Sequence, residues 1–210
     1  MPEIIPSINV PTFEEVQERI KKVEPHVSWC HLDVTDGMFS KHATWHDPLD
    51  LPRLQTKLKV EVHLMVEKPD EVIDQWLVPP VRRVIVHLEA MLDIECLIII
   101  QKCHDVGIEV GFAIKPDTSV SALDQWLKKV DVVLLLRVQP GASGQQMQSE
   151  MLGEIVHVRK SCPGCIIEVD GGVNVDNAKR AADAGANVLV AGGAIFSHSD
   201  IAKAVESLKN

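Results

Sequence analysis

Short runs rich in Val, Ile and Leu alternate along the chain with longer stretches in which apolar residues recur every three or four positions. The short runs cover residues 3–8, 29–34, 59–64, 83–88, 109–114, 131–138, 166–169 and 188–191. Each has the length and apolar character of a parallel strand covered on both faces. Between them lie helical patterns. Thr12 with Glu15 makes a capping-box signature ahead of Val16, Ile20 and Val23. Lys68-Pro69-Asp70 opens a second helix, and residues 94–106 form a third, closed by Gly107. Residues 119–127, 149–161, 174–184 and 200–208 complete the series. Eight strands alternating with helices over 210 residues predict a single (β/α)8 barrel domain spanning residues 1–210, with a doubly wound open sheet as the other arrangement of this pattern. Residues 35–51 are too long for a plain strand-to-helix connection and form a candidate active-site loop.

Composition narrows this only slightly. Aromatic residues are 4% of the chain and Tyr is absent, so aliphatic side chains must fill the core. The net charge of -9 opposes a general role on nucleic acid or an anionic membrane. It leaves an anionic small substrate open, because a few backbone N–H groups bind a phosphate whatever the global charge. No apolar stretch approaches a membrane span, and Pro6 cuts the apolar start of the chain. The odd count of five cysteines points to reduced thiols and a cytoplasmic protein. Cys162-Pro-Gly-Cys165 falls before the seventh strand, on the face of the barrel away from chemistry, and reads as structural.

Chemistry in such a barrel gathers at the C-terminal ends of the strands. Ser7, His31, Asp33, Glu61, His63, His87, Glu89 and Asp170 lie there. His31 and Asp33 are two residues apart and face one side of a strand. Two His and two Asp make a candidate site for one divalent ion, and their N and O donors suit Zn, Fe(II), Mn or Co better than Mg or Ca. Glycines follow three consecutive strands: Gly141-Ala142-Ser143-Gly144, Gly171-Gly172 and Gly192-Gly193. Loops of this kind let backbone N–H groups approach a phosphate.

Several segments then carry a family resemblance. They are Pro6-Ser7-Ile8, His31-Leu32-Asp33-Val34-Thr35-Asp36-Gly37, Val62-His63-Leu64-Met65, His87-Leu88-Glu89-Ala90, Ala113-Ile114-Lys115-Pro116, Val138-Gln139-Pro140-Gly141, Glu168-Val169-Asp170-Gly171-Gly172-Val173 and Val190-Ala191-Gly192-Gly193-Ala194-Ile195-Phe196. In this order the chain resembles the ribulose-phosphate 3-epimerase family over essentially its full length. The resemblance implies a TIM barrel that inverts C3 of D-ribulose 5-phosphate to give D-xylulose 5-phosphate, in the pentose-phosphate pathway. It implies one divalent metal per chain on His31, Asp33, His63 and Asp170, with Asp33 and Asp170 as the two acid/base groups. Ser7, His63 and Met65 would contact the sugar. Backbone at Gly141, Ala142, Ser143, Gly144, Gly171, Gly172, Gly192 and Gly193 would hold the phosphate. A homo-oligomer, dimer or hexamer, is also implied.

The departures from that pattern are local. Thr35 and Leu136 stand where the family has methionines, which leaves Met65 alone of a thioether cap, and Arg137 stands where a small hydroxyl residue is usual. The loop 38–48 is altered, with Lys41, His42, Trp45 and His46 as candidate contacts to a different sugar tail. Three other functions remain as alternatives: a 3-epimerase for a related ketose phosphate such as D-allulose 6-phosphate, a decarboxylase built on a related barrel, and a non-catalytic sugar-phosphate-binding barrel. The decarboxylase pattern Asp-x-Lys-x-x-Asp is missing, since that place reads Glu61-Val62-His63-Leu64-Met65.

Overall fold

The computed structural model describes residues 1–138 and 151–209. Eight parallel strands close on themselves: β1 (Glu3–Ile8), β2 (Trp29–Thr35), β3 (Lys59–Met65), β4 (Val81–His87), β5 (Glu109–Ile114), β6 (Val132–Leu136), β7 (Ile166–Asp170) and β8 (Val188–Ala191). Each strand pairs with the next and β8 returns to β1, so no edge is left open. The α-helices are α1 (Phe13–Val23), α2 (Pro69–Trp76), α3 (Asp93–Asp105), α4 (Met151–Ser161), α5 (Val175–Ala184), α6 (Gly193–Phe196) and α7 (Ile201–Ser207).

The alternation of side chains along each strand divides the molecule into two cores. Val62, Leu64, Val84, Val86, Val133 and Leu135 point outward into one large cluster with Ile20, Ile73, Ile99 and Ile155 of the helices. Ile85, Ala113, Leu134, Leu136 and Val138 pack together inside the barrel, as do Ile5, Trp29, Val188 and Val190. The remaining inward positions of β2, β3, β4 and β7 carry the polar residues described below.

Local signals account for most boundaries. The Thr12 side chain accepts from the Glu15 N–H and starts α1. Asn174 and Asn177 cap the start of α5 reciprocally, and Gly185 ends it with a positive φ of 121°. The segment predicted as a helix over 119–127 is instead a 3-10 helix over Val120–Leu123 followed by turns. Ser119 makes no side-chain cap there, and Leu123, Trp126 and Leu127 reach the core without a longer helix.

One further expectation is corrected. The cysteines are not all reduced: Cys162 and Cys165 form a disulfide. The Pro163-Gly164 turn between α4 and β7 brings their Cα atoms to 5.5 Å, within bridging range. Cys30, Cys96 and Cys103 are free and buried. Within α3, Ile99 is buried while Ile94, Leu97 and Ile98 are exposed. Among the described residues, no helix is long and apolar enough to cross a membrane.

Candidate active site

Strand register brings the predicted metal residues to one level of the barrel. His31 pairs with Ser7 across β1 and β2, Asp33 pairs with His63 across β2 and β3, and Asp170 ends β7. Their side chains point inward and converge. His31 Nε2 and His63 Nδ1 are 3.3 Å apart, and each lies 3.3 Å from Asp33 Oδ1. Asp170 Oδ2 lies 3.9 Å from His63 Nδ1. Donors bound tetrahedrally at about 2.0–2.1 Å stand about 3.3 Å from one another, so three of these edges already match a small divalent ion. Asp33 Oδ1 is buried and lacks a hydrogen-bond partner, as expected of an atom that faces a cation. The four residues thus fit the group that the sequence implies.

Electrostatics separate the two aspartates. Burial acts to raise the pKa of Asp33, but the adjacent His31 and His63 imidazoles outweigh it and hold the pKa well below the carboxylate range. Ser7 Oγ donates to Asp33 Oδ2 at 2.5 Å. Asp170 has weaker support, from the His31 charge and the Gly171 N–H. Burial first, then repulsion from Asp33, pushes its pKa to about 7. One carboxylate is therefore ionised, while the other titrates close to neutral pH in the metal-free site and can hold a proton there, a division that suits paired acid/base groups.

Beneath this level lies a buried ionic layer. His31 Nδ1 donates to Glu61 Oε1 at 2.6 Å, which leaves Nε2 facing Asp33 and His63. Arg83 Nη1 donates to Glu61 Oε2 at 2.6 Å and lies 3.5 Å from Glu168 Oε2, while its Nε donates to Glu109. Its guanidinium also covers the Trp29 ring, 4.4 Å from the centroid. Burial opposes ionisation of Glu61, but His31 and Arg83 hold its pKa at about 2. Burial and the nearby Glu61 charge raise Glu168 to about 8. His31, Glu61 and Glu168 also have the spacing of a cation site, but the Arg83 guanidinium already supplies the positive charge there.

On the other side, His63 Nε2 is 2.9 Å from His87 Nε2, and His87 Nδ1 is 3.2 Å from Glu89 Oε2. Burial, with the charges of His87 and His31, lowers the His63 pKa to about 4. Glu89 is anchored by the Lys115 N–H and the Thr118 hydroxyl. Phe39, from the long loop after β2, packs on His87 with centroids 4.8 Å apart, and Lys115 Nζ sits over Phe39. The loop therefore reaches the site through Phe39. Trp45 instead packs between Phe13 and Trp76, His46 bonds the Thr44 carbonyl, and Lys41 and His42 are exposed.

The glycines after β7 have backbone reasons to be glycine, both at positive φ, whereas Gly192 and Gly193 after β8 leave room for a Cβ. Gly171 has a φ of 98°, and a Cβ there would come within 2.6 Å of Val138. Gly192 and Gly193 line a cleft of about 280 Å³ with Ser7, Asn9, Arg19 and Ser197. Gly141, Ala142, Ser143 and Gly144 lie outside the described residues. Met65, at the end of β3, is buried opposite Thr35. Arg137 faces the helix layer, its Nη1 2.5 Å from Glu154 of α4.

Sequence reasoning passed over Arg83, Glu168 and Arg19. Arg83 has the parity of His87, and Glu168 that of Asp170, so the period of two could have placed both inside the barrel. Arg19 gives no such signal, because the α1 pattern marks it only as the edge of a buried face.

The chain matches the model of the ribulose-phosphate 3 epimerase family over residues 3–196. It is similar to the ribulose-phosphate 3-epimerase of Bacillus subtilis, 35% identical over 100% of this chain and 99% of that one. The chloroplastic ribulose-5-phosphate-3-epimerase of Arabidopsis thaliana is also 35% identical, over 98% of this chain and 75% of its own length. Among solved structures, KGPDC from Streptococcus mutans superposes with a TM-score of 0.77 at 13% identity, covering 100% of this chain and 96% of that one. A 3-hexulose-6-phosphate synthase reaches 0.75 at 16% identity, covering 99% and 98%. These structural likenesses bear on the fold alone.

Proposed function

We propose a two-base mechanism for this chain, which belongs to the ribulose-phosphate 3-epimerase family. The enzyme is an isomerase that interconverts D-ribulose 5-phosphate and D-xylulose 5-phosphate. The observation that carries the mechanism is the convergence of Asp33 and Asp170, from β2 and β7, at one level of the barrel, with surroundings that push their pKa values apart. Inversion beside a carbonyl removes a proton from one face of C3 and returns one to the other. A single base cannot reach both faces. The ionised Asp33 takes the C3 proton in one direction of reaction, and the protonated Asp170 delivers its own to the opposite face of the enediolate. The roles exchange in the reverse direction.

His31, His63, Asp33 and Asp170 would hold one divalent ion, zinc, iron(II), manganese or cobalt by their donor chemistry. Such an ion supplies Lewis-acid stabilisation of the negative charge that develops on the enediolate oxygens. Ser7 keeps the Asp33 carboxylate oriented through its hydrogen bond. The same reading seats the phosphate against backbone of Gly171, Gly172, Gly192 and Gly193, with Gly141 to Gly144 completing the set. Among the described residues, Arg19 is the one charged residue lining the cleft beside Gly192 and Gly193.

A coupled assay on D-ribulose 5-phosphate and D-allulose 6-phosphate, alongside elemental analysis, tests this reading. The expected result is a clear preference for the pentose phosphate, with metal content and turnover both lost in His31→Ala. Preference for the hexose phosphate would reassign the substrate. Full turnover in a variant without metal would remove the ion from the mechanism.

A further inference from the structure

Two polar atoms at the top of β2 are buried without a hydrogen-bond partner among the described residues: Asp33 Oδ1 and Thr35 Oγ1. The first faces the place where the metal donors converge. The second has no such account. Thr35 is fully buried, and it shares a strand face with His31 and Asp33 because all three are spaced by two within β2. Its register partner is Met65, at the matching inward position of β3. The hydroxyl therefore stands at the barrel mouth, one step above Asp33.

Nothing in the fold needs that hydroxyl. The Thr35 backbone is fixed by its neighbour Thr44: the Thr35 N–H donates to Thr44 Oγ1 at 3.0 Å, and the Thr35 carbonyl accepts from the Thr44 N–H at 3.2 Å. Thr44 Oγ1 in turn donates to the Asp33 carbonyl at 2.6 Å. Valine would fill the same volume, suit a strand equally well, and leave no polar atom buried and unpaired. A hydroxyl both donates and accepts, so its missing partner is a group that enters the mouth.

We propose that Thr35 is a specificity-determining residue whose hydroxyl hydrogen-bonds an oxygen of the hydroxylated chain of a ketose phosphate, beside the carbon that exchanges protons with Asp33 and Asp170. This rests on the ketose-phosphate reading of the site. The contact favours a chain bearing an oxygen at that point over one bearing hydrogen, because a deoxy ligand leaves the hydroxyl unpaired.

The test compares wild type, Thr35→Val and Thr35→Ser. Binding of the non-reacting polyol ribitol 5-phosphate is measured by calorimetry, and kcat/KM is measured for D-ribulose 5-phosphate. Thr35→Val should weaken polyol binding and kcat/KM by about tenfold each, the effect of losing one neutral hydrogen bond. Its Tm should stay level or rise, since an unpaired polar atom is removed. Thr35→Ser should restore binding, which a packing role would not allow, because serine lacks the methyl group. Deoxy polyol phosphates, each lacking one hydroxyl, should include one that binds wild type and Thr35→Val equally. Binding and kcat/KM within twofold of wild type in Thr35→Val would overturn the proposal. If wild type binds ribitol 5-phosphate but does not turn over D-ribulose 5-phosphate, the activity reading fails while the binding comparison still decides the role of Thr35. Wild type that neither binds ribitol 5-phosphate nor turns over D-ribulose 5-phosphate overturns both, and turnover without polyol binding leaves the kcat/KM comparison to decide the role of Thr35.

Discussion

At Glu168 the environment, rather than the side chain, sets the protonation state. It shares a buried layer with Glu61, and the proton sits on Glu168 because His31 and Arg83 stabilise the charge of Glu61. Glu168 thus has a folded pKa near 8 against an ordinary value of 4.5. Above 4.5 the unfolded chain loses this proton while the folded chain keeps it, so the group's contribution to stability falls as pH rises through that window and levels off above 8. Glu168→Gln mimics the protonated form. Thermal melts of metal-free protein should show its Tm advantage over wild type growing between pH 4.5 and 8 and then holding constant. An advantage independent of pH would mean that Glu168 is ionised in the fold. Sequence alone shows Glu168 only as one letter of a family motif, because its state depends on neighbours from β2, β3 and β4.

The strands were the most legible elements. Their apolar runs located all eight, and the period of two put His31 and Asp33 on one side of a strand from the sequence alone. Ends were less legible: β2 extends to Thr35, β3 to Met65 and β7 to Asp170, each one residue past the apolar run that marked it. In each case the last residue is held by pairing with a neighbouring strand rather than by its own propensity. The segment after Ser119 failed as a helix because its amphipathic spacing is satisfied by turns. The Cys162–Cys165 pair was missed because an odd cysteine count says nothing about which residues a tight turn brings together. At the end of β7, Gly171→Ala sets a left-handed φ and a close approach to Val138 against a new methyl group. Urea denaturation should show a loss of about 2–3 kcal/mol. Adding Val138→Ala should recover only the steric part, because the backbone penalty remains. An unchanged midpoint in Gly171→Ala would show that this turn relaxes freely.

Across the whole molecule, the barrel joins an acidic protein to an anionic substrate by keeping charge local. The chain carries a net -9, yet its inner face couples His31 and Arg83 to Glu61, and the cleft beside Gly192 and Gly193 contains Arg19. The proposed proton chemistry rests on two carboxylates brought together from β2 and β7, strands that are not neighbours in the sheet. Proton exchange at C3 in deuterated water, followed by NMR at saturating divalent cation, tests that arrangement most directly. Wild type should place solvent deuterium at C3 during inversion in either direction. Asp33→Asn and Asp170→Asn should each slow inversion by about a hundredfold or more. Each should retain exchange on one epimer only, ribulose 5-phosphate for one variant and xylulose 5-phosphate for the other. Near-normal inversion in either variant, or wild-type product without deuterium at C3, would contradict the two-base account.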